Sequence, residues 1–332
     1  MYHPKIALVF PGQGSQFVGM CKDLYDEYEL ARDIFDRANE LLGYDLSEKC
    51  FKKPALGKKI MHWTDLDKTI YTQPAVLTAS YACFKAFDAR LRELGITCDI
   101  FSVAGHSLGE YTALLVAGAL DFETTLELVV KRATYMTEWG KAYPESGLMA
   151  IVDRKEELDY NALCSTCKDY GVNITLNNTK HQIVVGGSKR RLGELAKELK
   201  KQGKRTTLLR VEGPFHTPIM RPAAEKFKKE LQDNRFHIAS IPIIANMSTH
   251  AIVDPEHIRK ELYQQIFNIV NWRGTIEKLI DNEVDLFIEL GPKNILSNMI
   301  RNIDPSITTL NVEDTESLET TLKELSGEGG IS

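Results

Sequence analysis

The 332-residue chain has no apolar run approaching the roughly 18 to 20 residues that cross a bilayer, so no helical membrane span is expected. It also lacks a charged leader followed by a long apolar stretch. MYHPKIALVF passes from a short polar start straight into a strand-like segment, so the expectation is a soluble, cytoplasmic protein. Cysteine is scarce: six residues, at positions 21, 50, 83, 98, 164 and 167, are too few for a disulfide scaffold. Only Cys164 and Cys167 have metal-site spacing, and without a second pair or paired histidines a zinc site there would lack half its ligands, so no metal is expected. Positive charge is not in excess either. Lys and Arg number 41 against 46 Asp and Glu, a net −5 that speaks against a broad nucleic-acid surface. Repeats and low-complexity tracts are missing as well.

What is present suits a large globular body, since 43% of the residues are hydrophobic. KIALVF precedes a helical pattern from about Asp23 to Leu42, and IFSVAG precedes another from about Leu108. Such alternation predicts an α/β domain built on a parallel sheet. Between about Ser146 and Leu209 the order becomes strand GLMAIV, helix Lys155 to Tyr170, strands VNITL and QIVVGG, helix Lys189 to Gln202, and strand RTTLL. That is the βαββαβ order of a ferredoxin-like unit. Larger elements then resume with IPIIAN, helices near Glu256 to Ile266 and Arg273 to Asn282, and DLFIEL. The predicted organisation is a large domain from 1–143 and 213–332 with a small domain, 144–212, inserted. CFKKPALGKK near 50–59 and the ending GEGGIS read as surface loop and tail.

The strongest local signal is Gly105-His106-Ser107-Leu108-Gly109, between the strand IFSVA and the helical pattern LGEYTALLVAGAL. G-x-S-x-G in that context predicts a nucleophilic serine on a sharp strand-to-helix turn. The helix N-terminus and the Leu108 amide would favour a developing oxyanion. The serine needs a base. Histidines 3, 62, 181, 237, 250 and 257 lie in polar or chain-end surroundings, and His106 adjoins the nucleophile and should point away from it. His216, in the proline-punctuated turn GPFHTPIM, is the best choice among the eight, although the residues alone leave the others open. Phe10-Pro11-Gly12-Gln13-Gly14-Ser15-Gln16 is not a dinucleotide fingerprint, because position 17 is phenylalanine, and it lacks the ending of a P-loop. A glycine-permitted turn remains, suited to the second half of an oxyanion hole.

Taken together, FPGQGSQ, TQPAVLTAS at 72–80, GHSLGEYTAL at 105–114, an arginine 25 residues after the serine, GPFHTPIM at 213–220 and ELGPKNIL at 289–296 resemble the malonyl-CoA:acyl carrier protein transacylase family of fatty-acid and polyketide synthesis. The resemblance implies a hydrolase-like large domain with an inserted ferredoxin-like domain, in agreement with the order above. It implies Ser107 as nucleophile, His216 as base, the Gln13 and Leu108 amides as oxyanion hole, and Gln73 lining the pocket. It implies that Arg132 grips the free malonyl carboxylate, where a planar guanidinium offers two parallel hydrogen bonds. Phe215 falls where polyketide acyltransferases vary with substrate, and a backbone carbonyl, mapped to Asn271, is expected to orient the histidine in place of an acid.

The implied reaction moves malonyl from malonyl-CoA to an acyl carrier protein by a ping-pong route through a Ser107 ester, without metal or redox cofactor, nucleic acid or membrane, in a monomer. The competing readings are a thioesterase or esterase, against which Arg132 argues, and a silent scaffold that binds carrier proteins. The basic run KRRLGELAKELKKQGKR at 189–205 is an expected docking face for an acidic carrier.

Overall fold

The computed structural model describes residues 4–52 and 64–327, so most of the expected 50–59 loop, the end of the tail, His3 and His62 lie outside the described residues. The strands, in chain order, are β1 (Lys5–Phe10), β2 (Asp99–Gly105), β3 (Ser146–Val152), β4 (Asn173–Thr179), β5 (Gln182–Ser188), β6 (Arg205–Leu208), β7 (Ile243–Ile244), β8 (Ala251–Ile252), β9 (Leu286–Leu290) and β10 (Thr308–Val312). One sheet has the order β10-β9-β1-β2-β7-β8, parallel except where β8 runs against β7. The other, β4-β5-β3-β6, is antiparallel. With the helices Tyr160–Asp169 and Lys189–Lys201 it forms the expected βαββαβ unit, set between two parts of the α/β body.

Local chemistry explains where the elements depart from the expected bounds. The helix expected over 23–42 is two, because Tyr28 turns extended (φ −111°, ψ 116°) between Lys22–Glu27 and Glu29–Leu42. The helix expected from Lys155 starts at Tyr160, where the Asp159 side chain accepts from Ala162 N and caps it. IPIIAN pairs only at Ile243–Ile244. The 26-residue helix Thr69–Leu94 was not predicted: its residues from Thr72 to Ser80 are all buried, so no polar stripe marks a 3.6-residue period. Nor were β10 and the helix Thr315–Ser326. Among the described residues no helix is long and apolar enough to cross a membrane.

The parallel register fixes where chemistry can occur. Phe10 stands opposite Gly105, so the turns leaving β1 and β2 emerge side by side at the carboxyl edge of the sheet, where open α/β sheets bind ligands. The small sheet is stitched to this edge: Asn177 N donates to Val270 O and Val270 N to Thr175 O, both at 2.9 Å. The ELGPKNIL motif has a structural task nearby. Glu289 is fully buried on β9, and its carboxyl oxygens accept from Leu296 N (3.0 Å) and Ser297 N (2.7 Å), satisfying the first turn of helix Ile295–Ile303.

Glu289→Ala leaves those two buried amides without acceptors, at about 1 to 3 kcal/mol each. The urea midpoint should fall by an amount equivalent to about 2 kcal/mol or more, with Glu289→Gln, which keeps one acceptor, in between. An unchanged midpoint in Glu289→Ala would show that the cap contributes nothing to stability.

Candidate active site

Between β2 and the helix Gly109–Val116 the chain must reverse within three residues, and Ser107 takes a left-handed conformation, φ 53°. Backbone crowding holds it there. A Cβ on Gly109 would sit 2.0 Å from Phe10 O, and one on Gly12 would sit 2.3 Å from His106 O, so only glycine lets the two turns touch. His106 N donates to Phe10 O at 3.0 Å and ties them together. Ser107 N donates to Asn246 Oδ1 (2.7 Å), while Asn246 Nδ2 donates to Gly105 O (2.6 Å). Among the described residues the neighbouring loop amides of Gly14, Ser15, Ser107 and Gly109 have acceptors, whereas those of Gln13 and Leu108 have none. Two amides on the touching turns are therefore free to donate.

His216 meets that serine from the opposite loop. It too is left-handed (φ 60°), and its Nε2 lies 2.8 Å from Ser107 Oγ. Its Nδ1 lies 2.7 Å from the main-chain carbonyl of Gln265. A carbonyl only accepts, so Nδ1 carries the proton and the Nε2 lone pair faces the hydroxyl. Burial first, and the nearby Arg132 charge second, push the imidazole pKa down to about 3. The histidine is thus neutral and able to accept.

Asn271 does not orient the histidine, contrary to the expectation from the motif. It is the N-cap of helix Trp272–Asp281, its carbonyl accepts from Thr275 N, and its side chain accepts from Gly274 N (3.3 Å) and Asn177 Nδ2 (2.8 Å). The carbonyl that does face Nδ1 ends the helix Pro255–Gln265 six residues earlier. The pair Gln264-Gln265 at a helix end was the signal available for it.

Arg132 projects from helix Phe122–Lys141 and is 1% exposed. Its Nη1 donates to Gln73 Oε1 (2.8 Å), and its Nη2 to Gln265 Oε1 (2.7 Å) and Ser107 Oγ (3.1 Å). All three acceptors are neutral, and it makes no ion pair among the described residues. Burial lowers its pKa from the usual arginine value. Behind it, Glu110 is 1% exposed; burial first, then Glu261, raise its carboxyl pKa. Asn246, Glu110 and Gln265 thus join the site beyond the residues expected from the sequence.

The remaining expected residues are placed as follows. Gln73 is buried against Arg132, with its Nε2 3.8 Å from Met136 Sδ. Phe215, next to His216, is buried in the main apolar core. His106 turns from Ser107 and donates from Nε2 to Asn178 Oδ1 of β4 (2.9 Å), joining the small domain to the elbow. A cleft of about 160 Å³ opens there, with Gly12, Gln13 and His106 on one wall and Leu176, Asn178 and Val184 on the other. In the basic run at 189–205, Arg190 pairs with Glu194, Lys201 with Glu198 and Lys204 with Asp153, Lys189 and Arg191 donate to carbonyls, and Lys197, Lys200 and Arg205 have no acidic partner among the described residues.

Comparison with known proteins gives a consistent picture. Residues 7–325 match the family described as acyl transferase domain. The malonyl CoA-acyl carrier protein transacylase of Bacillus subtilis is 37% identical over 327 residues, covering 98% of both chains. The crystal structure of the corresponding transacylase from Clostridium perfringens has a TM-score of 0.86 at 34% identity, covering 98% of each chain. A malonyl-transacylase solved in complex with its type II polyketide-synthase acyl-carrier protein has a TM-score of 0.87 at 31% identity, covering 96% of this chain and 99% of that one.

The depressed pKa of His216 sets a pH dependence. Protonation removes the acceptor, so a base that protonates at about 3 in the folded state stays competent far below the ordinary 6.5. Labelling of Ser107 by a serine-reactive phosphonate should show no titration near pH 6.5, only decline at lower pH. Between about 6.5 and about 3 the unfolded chain binds a proton that the folded one excludes, so stability should also fall as pH drops through this window. A labelling midpoint near 6.5 would mean that His216 is solvated or is not the base.

Proposed function

Because this chain belongs to the malonyl-CoA:acyl carrier protein transacylase family of acyltransferases, we propose that it moves a malonyl group from coenzyme A to the phosphopantetheine thiol of an acyl carrier protein through an ester on Ser107. The observation that carries the acyl specificity is the buried guanidinium of Arg132, 3.1 Å from Ser107 Oγ and surrounded by neutral acceptors. A desolvated cation without a carboxylate is costly, and the free carboxylate of a malonyl group supplies the missing partner. Hydrolysis of neutral acyl groups would give such a cation nothing to hold.

The geometry supports a two-step route. Ser107 Oγ attacks the thioester carbonyl carbon as its proton passes to His216 Nε2. The oxyanion is held by the Gln13 and Leu108 amides, the C–S bond breaks, and the proton follows the departing sulfur of coenzyme A. The carrier thiol then attacks the ester carbon, giving its proton to His216, and the C–O bond breaks as that proton returns to Ser107. Each half-reaction uses the same base and the same donors, so one preorganised site serves both. The Gln265 carbonyl stabilises the transient imidazolium by accepting from Nδ1. The cleft bounded by Gln13, His106 and Asn178 suits the extended arm that carries either thiol.

Mixing the enzyme with malonyl-CoA should add one malonyl mass, seen by intact-mass spectrometry, and Ser107→Ala should abolish it; an adduct that persists would place the nucleophile elsewhere. For Arg132, a hydrogen bond to a charged group contributes about 1.5 to 3 kcal/mol, or about one to two decades in kcat/KM. Arg132→Ala should lose at least about that factor in malonyl transfer while acetyl transfer is preserved, and Arg132→Lys should recover only part. An unchanged malonyl to acetyl ratio in both variants would remove the basis for dicarboxylate selection.

A further inference from the structure

We propose that Glu110 is a positioning residue for malonyl recognition: it fixes the orientation of the Gln265 side-chain amide, which in turn holds Arg132 beside Ser107. The proposal rests on the function inferred above and adds to it a residue that touches neither the serine hydroxyl nor the acyl group.

The connections are short and directional. Glu110 Oε2 accepts from Gln265 Nε2 at 2.6 Å, and Glu110 Oε1 accepts from the main-chain N of Asn246 at 2.9 Å. Gln265 Nε2 also donates to the carbonyl of Ser107 at 2.8 Å. With its amino group turned to these two oxygens, the Gln265 amide must present Oε1 to Arg132, and does so at 2.7 Å. Turned over, the same amide would set an N–H₂ against a guanidinium, donor to donor, and push the arginine away. The Ser107 carbonyl can only accept, and with the Glu110 oxygen beside it facing the same amino group the two oxygens exclude that alternative, a preference that a second amide in place of Glu110 would weaken.

The other oxygen acts on the nucleophile. Asn246, held through its main chain by Glu110, clamps the elbow by accepting from Ser107 N and donating to Gly105 O. One carboxyl, 1% exposed behind the elbow, therefore sets the place of Arg132 through Gln265 and the place of Ser107 through Asn246. Buried networks of this kind impose geometry because each unmade bond is expensive.

Glu110→Gln tests the assignment, because it replaces one acceptor by a donor with almost no change of shape. Through Arg132, malonyl transfer should lose about 10-fold to 100-fold in kcat/KM, the scale of one charge-assisted hydrogen bond, whereas acetyl transfer shares only the loss that comes through Asn246 and Ser107, so the malonyl to acetyl ratio falls. In an Arg132→Ala background the same substitution should leave that ratio unmoved, since the group it acts through is gone. A residue that merely fills the core would lower both substrates equally and leave the ratio unchanged, and that result overturns the proposal. If circular dichroism shows that Glu110→Gln does not fold, Gln265→Leu takes its place: it keeps the carbonyl that faces His216 but removes the amide relay, and it must lower the ratio in the same way. A wild-type enzyme that forms no malonyl adduct defeats the functional reading itself. A wild type that forms the adduct, with an unchanged ratio in the variants, defeats only the role of Glu110.

Discussion

The imidazole of His216 lies between two oxygens, the Gln265 carbonyl at 2.7 Å and Ser107 Oγ at 2.8 Å, and the rest of the site is arranged around that pair of hydrogen bonds. Serine hydrolases commonly give this place behind the histidine to a carboxylate, which stabilises the imidazolium. Here a carboxylate would stand next to a buried guanidinium. Arg132 would then have a directly bonded counter-ion inside the protein, and the proposed hold on a malonyl carboxylate would weaken. A neutral carbonyl orients the same ring without that competition. Its lesser help to the imidazolium agrees with the low pKa that burial and Arg132 give the ring.

Gln265 is where the two requirements converge. Its main chain orients the base, its amide oxygen holds the arginine, and its amide nitrogen reaches both Glu110 and the carbonyl of Ser107. Placing one residue at three tasks demands that a helix end there, and Pro255–Gln265 does so just before the segment that pairs with β4. The small domain is thereby linked to the base through Val270 and to the elbow through the His106–Asn178 contact. Any movement of the small sheet relative to the large one is felt at the nucleophile from both sides.

How much of this was legible in the sequence follows from which constraints are local. The elbow was readable because a serine on a strand-to-helix turn needs glycines two residues away on each side, and Gly105 and Gly109 stand there. The βαββαβ order was readable because each strand and helix carries its own period. Arg132 was visible only through the family resemblance, since an arginine within a helix announces nothing about the 25 residues that separate it from Ser107. Asn246 and Glu110 were not visible, and the Gln264-Gln265 pair pointed to a helix end but not to its partners. Their meaning lies in hydrogen bonds across 133 to 158 positions of chain, and no local pattern encodes those. Asn271 was misplaced for the same reason: the useful atom is a main-chain carbonyl, which every residue has, so side-chain identity gives its register only weakly.

Both reacting side chains are carried by non-glycine residues in the left-handed region, Ser107 at φ 53° and His216 at φ 60°. Such a conformation costs about 1 to 2 kcal/mol per residue. It persists only where the surroundings leave no alternative. At Ser107 the alternatives are closed by the approach of Gly109 to Phe10 O and by Asn246 on the amide; at His216 they are closed by its own N–H donating to Ile266 O at 3.2 Å and by the ring's bond to Gln265. The consequence is that the contact between nucleophile and base is set by main chain rather than by rotamer choice. A side-chain rotamer can be lost to thermal motion at little cost, whereas these two backbones can relax only if the turns themselves separate. The buried polar network behind the elbow opposes that separation, so the same bonds that strain the site also keep it assembled.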